Sequence, residues 1–189
     1  MYLADGSYEL KGNQAEGLTI IGVGDSVKLS NLTNYAGNGS FGSIWRKMTF
    51  ENVTFTDTVY TQNDGGNSTF TNVVFEKGFR RGYGSGVVFN NCTFGSNSEG
   101  YALHFETDAE SEGGVIQLNN CTFQGGKVHL GSQRTYVFTE CEFAIGTDFQ
   151  VWSDVTLDDC TVNGVKVTAE NITTVFPNLD MTKVTLATE

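Results

Sequence analysis

One arrangement of hydrophobic and polar positions recurs six times along the chain. In each eight-residue unit the third, sixth and eighth positions are mostly large and apolar, and a polar residue at the fifth position separates them. The units start 19 or 20 residues apart, except for one interval of 29. A repeat of this length predicts a solenoid with one insertion. The six units are 48–55 (MTFENVTF), 68–75 (STFTNVVF), 87–94 (VVFNNCTF), 116–123 (IQLNNCTF), 136–143 (YVFTECEF) and 155–162 (VTLDDCTV).

Each unit predicts two short strands joined by a bend. Side chains alternate across a strand, so the apolar positions on either side of the bend share the inner face. The bend needs a residue that tolerates left-handed backbone angles, which Asn and Asp adopt more readily than other non-glycine residues. Glu140 fits this expectation least well. The bend positions are Asn52, Asn72, Asn91, Asn120, Glu140 and Asp159.

If every repeat is one turn, equivalent residues lie about 4.8 Å apart, the spacing of paired strands. Three inward columns of stacked side chains follow, together with a ladder of hydrogen-bonded asparagines. The first column is Phe50, Phe70, Phe89, Leu118, Phe138 and Leu157; the second is Val53, Val73, Cys92, Cys121, Cys141 and Cys160; the third is Phe55, Phe75, Phe94, Phe123, Phe143 and Val162.

The four cysteines occupy one repeat position, which admits three interpretations. Thiols in a straight column cannot surround a tetrahedral metal ion. Neighbouring thiols come near disulfide distance, but parallel side-chain directions suit the disulfide torsion poorly. Small buried thiols interchangeable with valine are the simplest interpretation, and we predict these.

Composition and charge narrow the function classes. The chain of 189 residues has 23 Gly, 14 Phe and one Pro, which favours strands and turns over helices. A net charge of −11 disfavours nucleic acid and anionic lipid as partners. The sequence has no run of about 18 apolar residues, so no membrane span is predicted. The first residues lack the basic and apolar segments of a secretory signal; we expect a removed signal or a piece of a longer polypeptide.

The short strand, asparagine bend, second strand and Gly-rich turn resemble the parallel β-helix of pectin lyase-like proteins. The N-terminal sequence ADGSYELKGNQAEGLTIIGVGDS also resembles the way such domains begin, and the resemblance covers about residues 5–176. It implies an all-β, single-stranded right-handed parallel β-helix of seven to eight coils over 1–176, with 177–189 as a C-terminal cap or linker. Leucine-rich repeats have another spacing, and an immunoglobulin-like sandwich would not explain the constant period.

The segments between the units predict a further sheet, on the face where enzymes of the resembled superfamily bind substrates. With Leu103, Val128, Phe149, Val165 and their alternate neighbours facing inward, the remaining side chains face solvent. Trp152, beside tyrosines, would suit a sugar ring or a protein interface. The predicted ligand-binding residues are Tyr60, Arg80, His104, His129, Gln150 and Trp152, and the same alignment places Lys166 in the outward column.

His104 and His129 are the only histidines, and the alignment stacks them on adjacent coils. Two imidazoles can bind a transition metal or share a proton, but they make an incomplete metal site, so solvated rings on a polar face are favoured. The inserted acidic segment around Asp108, Glu110 and Glu112 can supply oxygen ligands to Ca²⁺ or remain a solvated loop. We therefore predict no cofactor, with Ca²⁺ as the open alternative.

A catalytic alternative uses Glu106 and Asp108 with His104. Two residues apart on one strand, the carboxyls would lie about 7 Å apart, within the range for inverting glycosidases. The chain lacks the N-T-D, D-D and G-H-G set of polygalacturonases and the R-x-P-x-x-R of pectate lyases, so we lean against an enzyme.

The sequence thus leaves three functions open. The favoured one is a non-catalytic module of a larger secreted or cell-surface protein, an adhesin-like domain that binds a neutral glycan or a host or partner surface. The alternatives are a carbohydrate-active hydrolase or lyase, and a structural spacer without a ligand.

Overall fold

The chain winds into a parallel β-solenoid of about six turns, fewer than the seven to eight expected. The computed structural model describes residues 1–10, 14–30, 44–61, 68–82, 86–106 and 113–187. Each regular turn contributes a strand to each of three sheets, so the predicted all-β class is confirmed. Among the described strands, the pairs are parallel except for one hairpin near the C-terminus.

Two nine-stranded sheets contain the repeated units. The first sheet consists of Tyr2–Leu3, Thr19–Gly22, Thr49–Glu51, Ser68–Thr71, Val87–Asn90, Val115–Asn119, Thr135–Thr139, Val155–Asp158 and Val184–Leu186. The second sheet consists of Gly6–Glu9, Val27–Ser30, Thr54–Phe55, Val74–Phe75, Thr93–Phe94, Thr122–Phe123, Glu142–Phe143, Thr161–Val162 and Val165–Lys166.

The third sheet is shorter, with five strands in the described part of the chain. Its strands are Val59–Thr61, Phe79–Arg81, Tyr101–Phe105, Lys127–Leu130 and Asp148–Val151. A separate pair, Gln14–Glu16 and Ile44–Arg46, occupies the equivalent place in the first two turns. The helical segments within the described ranges are a short α-helix, Ile172–Val175, and a 3₁₀ helix, Met181–Lys183.

The bend between the first and second sheets has the predicted left-handed backbone. All six bend residues have φ between 50° and 54°, including Glu140 at 54°. Asn72 donates to Asn52 at 2.9 Å, Asn91 to Asn72 at 3.1 Å and Asn120 to Asn91 at 2.9 Å. These amides are exposed, so the ladder stabilises the corner of the solenoid at its surface.

The three predicted columns form the core. Register pairs join equivalent residues of successive turns, as in Phe70 with Phe50 and with Phe89. The rings of Phe70 and Phe89 stack at 5.2 Å, and those of Phe94 and Phe123 at 4.8 Å. Every member of the columns is at most 5% exposed. Because each turn repeats the same contacts, burial of apolar surface and ring stacking continue along the molecule.

The cysteines are buried free thiols, as predicted. Each donates to a main-chain carbonyl of the preceding turn, for example Cys92 to Phe70 O at 3.4 Å and Cys141 to Leu118 O at 3.3 Å. Contacts with neighbouring thiols, and then burial, raise the pKa of Cys121 and Cys160. These two side chains are therefore packing residues, not reactive thiolates.

The placement of Val165 and Lys166 in the third sheet was wrong. Asn163 and Gly164 have φ of 49° and 75°, the positive values that a tight hairpin turn requires at both central residues. The chain reverses there, and Val165–Lys166 pairs antiparallel with Thr161–Val162 in the second sheet. Val165 is consequently 58% exposed. This reversal ends the regular winding.

The segment after the hairpin covers the end of the core. Phe176 is 2% exposed, and its ring lies 5.6 Å from that of Phe143 and 4.8 Å from that of Phe149. Val184–Leu186 then returns to the first sheet and pairs parallel with Val155–Asp158. Across the described ranges, neither helix has the length and hydrophobicity needed to cross a membrane.

Candidate functional site

The outward column predicted on the third sheet is present in register. Arg80 pairs with both Tyr60 and His104, His104 pairs with His129, and His129 pairs with Gln150. Inward neighbours such as Leu103, Phe105, Val128 and Leu130 are fully buried. The alternation of side chains across these strands therefore brings five of the six predicted binding residues into one row, although a register shift between Tyr101 and Leu103 interrupts it.

Trp152, the sixth, follows the last strand and joins a cluster of rings. The His104 and His129 rings lie 4.5 Å apart, His129 and Trp152 are 4.4 Å apart, and Tyr101 stacks on His104 at 4.4 Å. We call Tyr101, His104, His129 and Trp152 the ring cluster. Trp152 is 48% exposed, whereas the other three members are half-buried. The ring cluster thus offers one large apolar surface to solvent.

At the other end of the row, Arg80 and Glu106 form an ion pair. Arg80 Nη2 lies 2.7 Å from Glu106 Oε1, and Arg80 Nε donates to the same oxygen at 2.9 Å. The guanidinium also lies 5.4 Å from the centre of the Tyr60 ring. Glu106, one of the two carboxylates of the catalytic alternative, is therefore engaged as an ion-pair partner.

The strand ends beneath this row are held by a buried arginine that the sequence did not predict. Arg134, 3% exposed, donates to Gly82 O at 2.7 Å and to Glu106 O at 3.0 Å. It thereby joins carbonyl groups of two earlier turns. Gly131 lies against the same segment, where a Cβ would overlap the carbonyl oxygen of Glu106. No repeat position marks Arg134, so periodicity could not identify it.

A hydrogen-bonded chain of side chains orients His129. Its Nδ1 lies 3.3 Å from Gln150 Oε1; an amide oxygen only accepts, so this contact places a proton on Nδ1. Gln150 Nε2 donates to Asp148 Oδ2 at 3.1 Å, and Asn178 Nδ2 donates to Asp148 Oδ1 at 3.0 Å. The side chains of the last third-sheet strand are thus fixed by the C-terminal segment.

Both histidines are held in the neutral form. Burial, and then the charges of His129 and Arg80, lower the pKa of His104 to about 4. Burial also lowers the pKa of His129, although the Gln150 hydrogen bond and the Glu106 charge oppose it. Nδ1 of His104 is buried and has no hydrogen-bond partner among the described residues. At neutral pH the ring cluster is consequently uncharged.

We expect acidification to destabilise the fold through His104. An unfolded histidine has a pKa near 6.5, so the unfolded chain binds a proton that the folded chain resists. Stability should fall as the pH falls from about 6.5 towards 4. Urea unfolding at pH 7, 6, 5 and 4.5 tests this, with His104→Gln as the control. The variant should lose less stability than the unsubstituted chain over this interval; equal losses would contradict the assignment.

The described side chains do not build a metal centre. Within those ranges no three His, Cys, Asp or Glu residues come together, and the histidine pair supplies only two ligands. The calcium candidates Asp108, Glu110 and Glu112 lie outside the described residues, as does Asp108 in its catalytic role. These predictions stay open.

A groove borders the exposed side of the ring cluster. Its volume is about 430 Å³, and it lies between the last third-sheet strand and the C-terminal segment. We call it the terminal groove; it is lined by Asp148, Phe149, Gln150, Val151, Trp152, Asn178 and Asp180. An indole beside amides and carboxylates is a combination that binds polyhydroxylated rings through stacking and hydrogen bonds.

Comparisons with models of protein families, with curated proteins and with solved structures found no match. The function must therefore be inferred from the face itself. The outward row from Tyr60 to Gln150 is aromatic, imidazole and amide, with the Arg80 charge paired to Glu106. Such a face suits binding of an uncharged ligand better than charge-driven association.

Proposed function

We propose that the protein is a non-catalytic binding module that recognises a neutral glycan on the third-sheet face. The exposed Trp152, held in the ring cluster beside the terminal groove, carries this proposal. An indole face contributes large apolar contact area to the C–H face of a sugar ring, and the neighbouring polar groups can bind hydroxyls. The alternative of a partner-protein surface uses the same residues and is an outcome of the test below.

The rest of the molecule supports a rigid platform for this face. Strands in register fix the spacing of the outward row, while the phenylalanine columns support it from below. Rigid elements hold a binding constellation more accurately than loops do. We further propose that the chain is a module of a larger secreted or cell-surface protein of the pectin lyase-like superfamily. A protein in that location would encounter such a glycan outside the cell.

The enzyme alternative receives less support from the described residues. Glu106 Oε1 is held by two guanidinium nitrogens of Arg80, so this carboxylate already serves as an ion-pair partner. If the glycan is cleaved, and Glu106→Gln abolishes the cleavage, the module becomes an enzyme and this part of the proposal is overturned.

Replacing Trp152 with alanine is expected to weaken glycan binding by about tenfold or more, the effect of losing about 1.4 kcal/mol of contact energy. A neutral-glycan array, followed by titration of the strongest ligand, measures this loss. Tyr2→Ala is a matched control, because Tyr2 is 74% exposed but lies in the first sheet. Equal binding by both variants, or no glycan binding by the unsubstituted protein, would contradict the proposal.

A further inference from the structure

The faces of the ring cluster are not equally open to a ligand. Tyr101 is covered by the His104 ring, and the ammonium of Lys127 lies 4.9 Å from its centre. The His104 ring in turn contacts His129, which contacts Trp152. A sugar could stack on these inner rings only by displacing a neighbouring side chain. The cluster therefore does not provide a row of open platforms along the sheet.

Trp152 differs because the cluster covers only one side of its indole. The ring centroids of His129 and Trp152 lie 4.4 Å apart, with the two rings tilted by 32°. The residue nevertheless keeps 48% of its surface exposed, and it lines the terminal groove. The open side of the indole and the groove together form a place for a flat, partly apolar molecule.

The groove also determines how much of a ligand can enter. A volume of about 430 Å³ lies in the lower part of the range for small-molecule sites, about 300–1,000 Å³. The C-terminal segment contributes Asn178 and Asp180 to the lining, and Asn178 is fixed by its bond to Asp148. This size matches one or two sugar rings, not an extended chain.

The polar lining indicates which sugars fit. Asp148 and Asp180 are hydrogen-bond acceptors for hydroxyl groups, while the side-chain amides of Gln150 and Asn178 supply both donors and acceptors. Hydrogen bonds from Thr182 lower the pKa of Asp180, which keeps this carboxylate ionised at neutral pH. The described lining contains no Lys, Arg or His. Sugars that carry a carboxylate or sulfate would be repelled.

From these observations we infer that the terminal groove is a subsite for a single non-anionic pyranose residue, stacked on the outer face of Trp152 and hydrogen-bonded by Asp148 and Asn178. This inference rests on the proposed function and specifies it. The module would recognise a chain end or a single sugar unit, and the remaining outward row from Tyr60 to His104 would contribute little.

A length series tests this inference. Methyl glycosides of glucose, galactose, mannose and N-acetylglucosamine are titrated, followed by the dimer and tetramer of the sugar that binds. The tetramer should bind within about threefold of the methyl glycoside, and glucuronic acid should not bind. The Trp152 indole N–H resonance should shift on addition of the methyl glycoside. A gain of tenfold or more from methyl glycoside to tetramer would overturn the single-residue subsite.

Point variants locate the subsite independently. Asp148→Asn and Asn178→Ala should each weaken binding of the methyl glycoside at least fivefold, whereas Tyr2→Ala, an exposed position on the first sheet outside the groove, should leave it unchanged. A loss in Tyr2→Ala equal to that in Asp148→Asn, in correctly folded proteins, would overturn the inference while leaving the glycan-binding function intact. Failure of every sugar to bind would instead reject the proposed function itself.

Discussion

Replacing Phe89 with alanine lowers the free energy of unfolding by about 3–5 kcal/mol, the usual cost of removing a buried phenylalanine ring. Phe89 is fully buried in the first inward column. Its ring contacts Phe70 at 5.2 Å, Phe79 at 5.1 Å and Phe94 at 5.3 Å, so the cavity would open between two turns and all three sheets. Urea unfolding followed by far-ultraviolet circular dichroism measures the loss.

Two control variants separate the cavity from other effects. Phe89→Leu should cost less than about 1.5 kcal/mol, because leucine already occupies this column at Leu118 and Leu157. Ile145→Ala should change stability by at most about 0.5 kcal/mol, since Ile145 is 76% exposed. A loss below about 1 kcal/mol in Phe89→Ala would contradict the packing described for the central turns.

Replacing Asn91 with valine should lower the free energy of unfolding by about 2–4 kcal/mol, the second large effect. Asn91 has φ of 54° and takes part in two ladder hydrogen bonds, donating to Asn72 and accepting from Asn120. A β-branched residue is strained in this region by about 1–3 kcal/mol, and each exposed hydrogen bond adds up to about 1 kcal/mol.

Asn91→Gly separates the contribution of backbone strain from that of the ladder hydrogen bonds. Glycine adopts positive φ without strain but makes no ladder bonds, so this variant should lose only about 1 kcal/mol beyond the entropic cost of glycine. Thermal and urea unfolding of both variants give the comparison. If valine and glycine prove equally destabilising, the bend at Asn91 does not have a left-handed backbone.

The core could be predicted from the sequence because every turn repeats the same physical requirement. An inward strand position needs an apolar side chain, and the bend needs left-handed angles, so the period appears directly in the residue pattern. Glu140 illustrates the strength of this constraint: its φ of 54° equals that of Asn52, Asn72 and Asn91, although glutamate has no preference for the region. The parallel pairing of adjacent turns determines its backbone.

The end of the solenoid was less predictable from the repeat alone. Continuation of the period placed Lys166 in the outward row, but Asn163 and Gly164 form a tight turn that reverses the chain. An Asn-Gly pair between two strand-like segments is a strong hairpin signal. Local turn chemistry therefore overrode the expected repeat, and the sequence contained the information needed to recognise it.

The candidate site combines predictable and unpredictable features. The row from Tyr60 to Gln150 follows from strand alternation, which the sequence displays. The terminal groove depends on contacts between residues about 30 positions apart, such as Asn178 with Asp148, and on the path of the segment after the hairpin. No periodic pattern specifies such contacts, so the groove could be recognised only in the structure.

The central claim, that equivalent residues stack turn upon turn, is tested most directly by distances between spin labels. Register pairs place Thr49, Thr69, Val88, Gln117, Val137, Thr156 and Thr185 in one outer column of the first sheet. Three doubly labelled proteins each carry one label at Thr49, and the second label is at Val137, Thr156 or Thr185. In all three, valine replaces the four native cysteines.

The strand spacing predicts backbone separations of about 19, 24 and 29 Å for these three pairs. Each step should add about 4.8 Å, although the second label moves 19 residues from Val137 to Thr156 and 29 residues from there to Thr185. Pulsed electron–electron double resonance measures all three distances. Equal increments would support the stacked turns, whereas distances that do not increase in order would contradict a parallel solenoid.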